Sequence, residues 1–137
     1  MVKKVFVDSD IILDLLAKRE LFYDNAAKVF SLAYEKKIKI FTTAVVFANV
    51  FYILRKIRGN EEAKKKLREL RLLAHVLPIN ENTVDMSLNS KFGDFEDGLQ
   101  YFAAKDNKIM AILTRNTGDY KVKDIVIQTP EDFLKMN

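Results

Sequence analysis

The stretch KKVFVDSDIILDLLAK, residues 3–18, joins a short apolar run to two acids and an aliphatic helix pattern. Residues 3–8 end on an acid after the apolar run, and they predict a buried strand. A helix is expected to follow at once, because Ser9 or Asp10 is a natural N-cap before the aliphatic residues. A strand that leads directly into a helix is the repeating unit of α/β folds.

The same alternation of strand and helix continues along the chain. Further strands are predicted over residues 38–43, 75–79, 108–114 and 124–128. Helices are predicted over residues 9–18, 21–37, 43–57, 60–74, 81–91, 94–106 and 129–136. Five short strands separated by helices predict one α/β domain over residues 1–137, a three-layer α/β/α sandwich around a mainly parallel five-stranded sheet. The helix over residues 43–57 is apolar on nearly every side, so we expect a partner to cover part of it.

The composition excludes several kinds of site. The chain has no cysteine, which rules out disulfides, thiolate metal sites and a cysteine nucleophile. The single histidine, His75, rules out a metal site built from several histidines. The longest apolar stretch, residues 44–54, is too short to cross a bilayer and contains Asn49. With no signal-peptide pattern at its start, the protein is expected to be cytoplasmic and without a membrane contact.

The charge balance is mildly basic, with 23 lysines and arginines against 19 acids and a net charge of +4. This balance permits a polyanionic partner such as RNA. The densest basic stretch consists of Arg55, Lys56, Arg58, Lys64, Lys65, Lys66, Arg68 and Arg71. These side chains form either a solvated helix face or a contact surface for the RNA backbone. The sequence leaves both interpretations open.

Acidic and amide side chains follow the predicted strands, where α/β sheets bind their ligands. The residues concerned are Asp8, Asp10, Asn49, Asp94, Asp97, Arg115, Asn116 and Asp119. Carboxylates brought together repel one another, and a divalent cation removes that repulsion. Because the chain has no cysteine and one histidine, the ligands would be oxygen atoms, and oxygen ligands favour Mg²⁺ or Mn²⁺. Ions of this kind serve phosphoryl chemistry, so the pattern predicts hydrolysis of phosphate esters.

Each of these acids also has an ordinary structural interpretation. Asp8 and Asp94 stand where N-caps of the following helices are expected. Asp97 lies three residues after Asp94, at the position of a capping-box acid. Asp119 lies in NTGDY, a turn-like stretch in which aspartate is common for local reasons. Residue chemistry alone leaves cap and metal ligand as alternatives.

The order of five motifs resembles the PIN-domain nucleases, and in particular the small single-domain toxins of toxin–antitoxin pairs. The motifs are VFVDSDIILDLL, TTAVVFANVFYIL, GDFEDGLQYFAA, ILTRNTGDY and IVIQTPEDFL, and they extend across essentially the whole chain. The resemblance implies a Mg²⁺- or Mn²⁺-dependent endoribonuclease that cleaves RNA without a covalent enzyme intermediate. It also implies a homodimer and an antitoxin whose tail lies across the site.

The resemblance assigns roles to individual residues. It implies metal binding and catalysis by Asp8, Asp97 and Asp119. The family's remaining acid, usually glutamate, falls on Asn49, a neutral amide that we expect to weaken metal binding and catalysis. Asp10, at a position where the family often has asparagine or serine, is an acid that can compensate in part. The expected substrate-binding residues are Thr114, Arg115, Asn116 and Asp94, with Arg115 as the phosphate contact.

Two other functions remain open at this point. VFVDSDIIL also resembles the Asp-x-Asp opening of haloacid-dehalogenase-type phosphatases, in which the first aspartate is a nucleophile. Against this resemblance, a further strand and TRNTGDY follow the acidic motif GDFEDGLQYFAA. The second alternative is a PIN-like module that has lost its chemistry through Asn49 and binds RNA or a protein partner. RNA binding without metal-dependent cleavage is the expected behaviour of such a module.

Overall fold

The computed structural model describes residues 2–136. Its strands are β1 (Lys3–Val7), β2 (Ile38–Thr43), β3 (Ala74–Leu77), β4 (Ala111–Leu113) and β5 (Val126–Gln128). Its helices are α1 (Ser9–Leu16), α2 (Tyr23–Tyr34), α3 (Ala44–Arg58), α4 (Asn60–Leu73), α5 (Glu81–Leu88), α6 (Phe95–Asp106) and α7 (Pro130–Lys135). A short 3-10 helix, Thr117–Asp119, lies between β4 and β5.

The five strands form one parallel sheet in the order β3-β2-β1-β4-β5. The chain builds outward from β1 to β3 and then returns to place β4 on the other side of β1. This reversal creates a topological switch point between β1 and β4, where α/β sheets leave a crevice beyond the strand ends. The prediction of an α/β/α sandwich with a parallel five-stranded sheet is confirmed.

The centre of the sheet is buried on both faces. Val5, Phe6 and Val7 of β1 have no solvent exposure, and neither have Ile112 and Leu113 of β4. Phe6 pairs with Ile112, and Val7 pairs with Leu113, across the switch point. A parallel strand that is covered by helices on both faces needs apolar side chains on each face. This requirement explains the continuous apolar runs in β1 and β4. The side chains that follow these two strands are therefore held by a rigid base.

Four of the five strands, all except β2, are shorter than predicted, and for β3 and β4 the reason is local. β3 ends at Leu77 because Pro78 follows and has no backbone N–H for the sheet. β4 begins at Ala111 because Lys108, with φ of 58°, is in the left-handed region that a strand cannot adopt.

One face of α3 is buried and another is exposed in the single chain. Val46, Val50 and Leu54 are buried. The exposed apolar side chains are Tyr52, Ile53 and Ile57, with exposed fractions of 55%, 39% and 58%. Cover by a partner therefore stays a prediction for this helix. Among residues 2–136, no helix has the length and apolar character needed to cross a bilayer.

Helices α5 and α6 approach each other closely at Gly98. A β-carbon on Gly98 would overlap the side-chain oxygen of Ser87 on α5. That oxygen instead donates a hydrogen bond to the carbonyl of Phe95 at 2.9 Å. Because position 98 has no side chain, the first turn of α6 can pack closely against α5. This first turn carries Asp97.

Candidate functional site

The switch point places Asp8 beside Thr114. Asp8 directly follows β1 and Thr114 directly follows β4, and the Thr114 hydroxyl donates to Asp8 Oδ2 at 3.1 Å. The other oxygen of Asp8 accepts from the backbone N–H of Ser9 at 2.7 Å and caps α1. Asp8 is 7% exposed. The cap interpretation is therefore correct for one oxygen, while the second oxygen faces the crevice side chains.

The first turn of α6 brings Asp97 to the same place. Asp94 caps this helix, since its carboxylate accepts from the backbone N–H of Asp97 at 3.1 Å. Asp97 Oδ1 accepts from the Tyr120 hydroxyl at 3.3 Å, and the same hydroxyl lies 3.3 Å from Asp8 Oδ2. The two carboxylate oxygens can therefore be separated by no more than twice that distance. Asp8 and Asp97, 89 positions apart in the chain, converge on one hydroxyl.

Burial and neighbouring acids disfavour the charge on both carboxylates. The pKa of Asp97 is raised to about 7, first by desolvation and then by the negative charges of Asp94, Asp8 and Asp119. The pKa of Asp8 is raised to about 6 by desolvation and by the charge of Asp10. Hydrogen bonds from neighbouring groups lower both values only in part. The site thus concentrates negative charge that a cation would stabilise.

Asp10 anchors the loop that follows β4. Its Oδ2 accepts from the backbone N–H of Arg115 at 2.9 Å and from Asn116 Nδ2 at 3.4 Å, and it lies 3.3 Å from Thr114 Oγ1. Desolvation raises the pKa of Asp10, while these bonds oppose the shift. Thr114, Arg115 and Asn116 therefore meet beside Asp8, as the sequence predicts, and Asp10 is the residue that gathers them.

The Arg115 side chain is engaged in an ion pair. Its guanidinium contacts both oxygens of Asp14, at 2.8 and 3.1 Å, and stacks 4.0 Å from the centre of the Phe22 ring. Asp14 is 1% exposed, and Arg19 lies 3.7 Å from one of its oxygens. Asp14 was not among the expected site residues, although an acid inside the apolar run IILDLL is a signal that a partner is needed. A phosphate contact by Arg115 stays a prediction.

Asn49 faces an acid from the neighbouring helix. Its side-chain nitrogen donates to Glu96 Oε2 at 2.8 Å, across 47 positions of sequence. Glu96 is exposed, and its carboxylate is the partner of the Asn49 amide. The carboxylate of Glu96 therefore lies directly beside the Asn49 side chain. A catalytic role for Asn49 stays a prediction.

Two buried polar residues complete the described site. Tyr120 is 4% exposed, and its hydroxyl also lies 3.0 Å from Oε1 of Gln100, which is 2% exposed. Burial and the charges of Asp8 and Asp97 raise the pKa of Tyr120, so it stays protonated and acts as a donor. Gln100 lies three residues after Asp97, on the same helix face. The sequence reasoning missed both; a polar residue at i+3 from an acid is the signal that it could have used.

Asp97 and Asp119 also line an open groove of about 720 Å³. The groove lies between the loop that precedes α6 and the segment around the 3-10 helix. Its lining residues are Ser90, Lys91, Phe92, Gly93, Asp94, Asp97, Gly118, Asp119, Lys121 and Val122. This lining contains three acids, two lysines and two apolar side chains. Such a groove suits a ligand that carries both charged groups and planar rings.

The donor set fits a hard divalent cation. Its members are carboxylates and hydroxyls, and oxygen ligands suit Mg²⁺ and Mn²⁺. Asp8 and Asp97 lie side by side through their common contact with Tyr120. Within residues 2–136, no three His, Asp or Glu side chains stand close enough to hold an ion together as they are placed. The chemical nature of these side chains thus suits a divalent cation, and the carboxylates of Asp8 and Asp97 already lie side by side.

Known proteins match this chain over most of its length. Residues 4–118 match the model of the PIN domain. Ribonuclease VapC1 from Aquifex aeolicus is 26% identical over 138 residues, covering 97% of this chain and 94% of that protein.

Solved structures share the fold at low identity. A toxin–antitoxin complex from Klebsiella pneumoniae has a TM-score of 0.69 at 17% identity and covers 92% of this chain and 97% of its own. The Sarcin-Ricin loop cleaving toxin VapC20 from Mycobacterium tuberculosis has a TM-score of 0.61 at 16% identity, with 79% and 86% covered. The family match also decides between the two resemblances of the first motif, against the phosphatases. The chain belongs to the PIN domain family.

Proposed function

We propose that the protein is a divalent-metal-dependent endoribonuclease that hydrolyses phosphodiester bonds in RNA. The observation that carries the proposal is the pair Asp8 and Asp97, which share one hydroxyl at the switch point of the sheet. Their raised pKa values reflect burial and neighbouring acids, and a cation would offset both. Membership of the PIN domain family and the similarity to a protein named a ribonuclease support this activity.

In the proposed site, Asp8 and Asp97 bind the cation, and Asp119 contributes from the groove. Bound Mg²⁺ or Mn²⁺ would polarise phosphate oxygens and lower the pKa of an attacking water molecule. Thr114 fixes the orientation of Asp8 through the 3.1 Å hydrogen bond. Glu96, held by the Asn49 amide, precedes Asp97 directly in α6 and would add a negative charge to the first turn of this helix. Asn49 itself then acts through Glu96.

The groove offers a path for the RNA strand. Lys91 and Lys121 lie in its lining together with Asp97 and Asp119. Positive side chains beside a carboxylate site would hold the phosphates that flank the cleaved bond. Because the guanidinium of Arg115 is paired with Asp14, we propose the two lysines as the principal phosphate contacts.

We also propose an antitoxin partner and a homodimer in the cytoplasm. The solved structures with the same fold include toxin–antitoxin complexes, which supports a protein inhibitor for this chain. The exposed apolar residues of α3, Tyr52, Ile53 and Ile57, form a surface that a second copy would cover.

The proposed activity is tested by cleavage of a labelled RNA pool by the purified protein. We expect cleavage with Mn²⁺ or Mg²⁺ and none with EDTA. Asp8→Asn keeps the cap on α1, because asparagine is also a good N-cap, but it removes the charge. It should therefore stay folded and lose cleavage. RNA binding without cleavage under every metal condition would overturn the nuclease proposal and favour the binding module.

The role of Glu96 is tested by exchanging the two groups of its hydrogen-bonded pair. We expect Glu96→Gln to weaken Mn²⁺ binding and cleavage about tenfold, because it removes a charge near the metal ligands. The double variant Asn49→Glu, Glu96→Gln returns a carboxylate and an amide to the same pair, and it should recover most of the loss. Calorimetric Mn²⁺ titration and RNA cleavage measure both. Wild-type values for Glu96→Gln would remove Glu96 from the site.

A further inference from the structure

The Tyr120 hydroxyl lies at the centre of the candidate site. It is 3.3 Å from Asp8 Oδ2, 3.3 Å from Asp97 Oδ1 and 3.0 Å from Gln100 Oε1. Its three contacts come from the end of β1 and from two turns of α6. Tyr120 follows Asp119, the acid of the 3-10 helix, directly in sequence. One side chain therefore ties together the segments that carry the three proposed metal ligands.

A phenol has a single proton, so it cannot satisfy three acceptors at once. A half-turn of the Gln100 amide would present its nitrogen as a donor to the phenol oxygen. The proton of Tyr120 would then be directed to the carboxylates. Asp8 Oδ2 and Asp97 Oδ1, each 3.3 Å away, would share this one proton, and Gln100 would keep the phenol oxygen in place.

We infer that Tyr120 is a positioning residue, whose hydroxyl holds Asp8 and Asp97 next to each other so that both can bind one divalent cation. This inference rests on the proposed function. The ring is anchored independently of the hydroxyl, since it packs edge-on against Phe92 at 6.1 Å between ring centres. The position of the hydroxyl is therefore set by the core, and the carboxylates take their positions from it.

The hydrogen bond from Tyr120 leaves room for a cation. A carboxylate has about four lone-pair sites, and Asp97 uses one of them for Tyr120. Hydrogen bonds to ligating carboxylates orient them, and their loss typically weakens metal binding 10- to 100-fold. Phenylalanine at position 120 would keep the ring and its packing but remove the donor.

The test compares Tyr120→Phe with Tyr101→Phe. Tyr101 is also buried and packs on the same Phe92 ring, but its hydroxyl donates to Asp124, outside the site. We expect Tyr120→Phe to raise the Kd for Mn²⁺ at least about 10-fold in calorimetric titrations without RNA. Tyr101→Phe should keep the Kd of the wild type. Thermal melting shows that each variant is folded at the titration temperature.

A purely structural role would lower the melting temperature of Tyr120→Phe and leave its Mn²⁺ affinity unchanged. That result would overturn the inference, and so would tighter Mn²⁺ binding, because a competing hydroxyl would then have been removed. If Tyr120→Phe does not fold, the inference is tested on the wild-type protein by NMR with ¹³C-labelled tyrosine. Mg²⁺ should shift the ring-carbon signal next to the Tyr120 hydroxyl and leave that of Tyr101 in place; an unshifted Tyr120 signal would overturn the inference.

The outcomes separate this inference from the proposed function. If the wild type binds no Mn²⁺, the metal-dependent mechanism fails and the role of Tyr120 fails with it. If the wild type binds Mn²⁺ and cleaves RNA while Tyr120→Phe binds equally well, only the role of Tyr120 fails. Metal binding measured without RNA makes the two results independent of turnover.

Discussion

Replacing Asp97 by asparagine is expected to reduce RNA cleavage by about 10²- to 10³-fold and to raise the melting temperature of the metal-free protein. Loss of a ligand that contributes several kcal/mol of charge stabilisation lowers the rate by about 10²- to 10³-fold. The stability rises because the raised pKa of Asp97 means that its charge disfavours the folded state at pH 8. Asp97 is only partly buried, so solvent screens part of this effect, and we expect a gain of about 2–5 °C.

The same pKa shifts set the pH dependence of the metal-free wild type. The folded pKa of Asp97 is about 7, above the value of about 3.9 for an unfolded aspartate. Between these values the folded state binds more protons, so stability decreases as pH rises and levels off above pH 7. Asp8, with a folded pKa of about 6, adds to the slope at lower pH. Thermal melts in EDTA from pH 5 to 8.5 measure both, and Asp97→Asn should flatten the part near pH 7.

Asp106→Asn is the matched control for Asp97→Asn. Asp106 is the last residue of the same helix, α6, and is exposed. The two substitutions make the same change in net charge. We expect Asp106→Asn to keep wild-type cleavage and to leave the pH dependence of the melts unchanged. An equal gain in stability from both variants would assign the effect to net charge rather than to the site.

Replacing Arg115 by alanine is expected to destabilise the fold by about 2–4 kcal/mol. Asp14 is 1% exposed, and the substitution would leave its buried carboxylate with only the longer contact to Arg19 at 3.7 Å. Removing one partner of a buried ion pair costs about 3–5 kcal/mol, because the other charge stays desolvated. The part of Arg115 that is exposed reduces the expected loss. Urea unfolding should show a lower midpoint with an unchanged slope.

Two further variants test the cause of this loss. Arg19→Ala removes the longer, more exposed contact and should cost less than about 1 kcal/mol. Adding Asp14→Asn to Arg115→Ala removes the unpaired charge and should recover part of the stability. If Arg115→Ala keeps wild-type stability and weakens RNA binding, Arg115 is the phosphate contact that the sequence suggests.

The fold was predictable because its signals are local. The run from Val5 to Val7 and the acid that follows it indicate a buried strand and the start of a helix without any long-range information. The strand order is different, because it depends on which buried strands pair. The position of β4 beside β1, which creates the crevice, is a property of the packed sheet. The sequence could indicate strand ends that carry acids, but not which two ends are adjacent.

The same distinction applies to the site. Asp8 and Asp97 could be predicted because each stands at a junction of elements and within a motif. Glu96 and Tyr120 could not, because their partners lie 47 and 112 positions away and only the packing of α3, α6 and the loop after β4 brings them together. An amide facing a glutamate, and a phenol facing two aspartates, are pairings that no single stretch of sequence contains.

The close contact at Gly98 makes the position of Asp97 depend on a residue that has no side chain. The first turn of α6, and Asp97 with it, has its backbone lying directly against the side chain of Ser87. Selection that keeps Asp97 in place would therefore extend to position 98, where a β-carbon would overlap Ser87. Position 98 should be among the least tolerant in the protein although it contributes no chemistry.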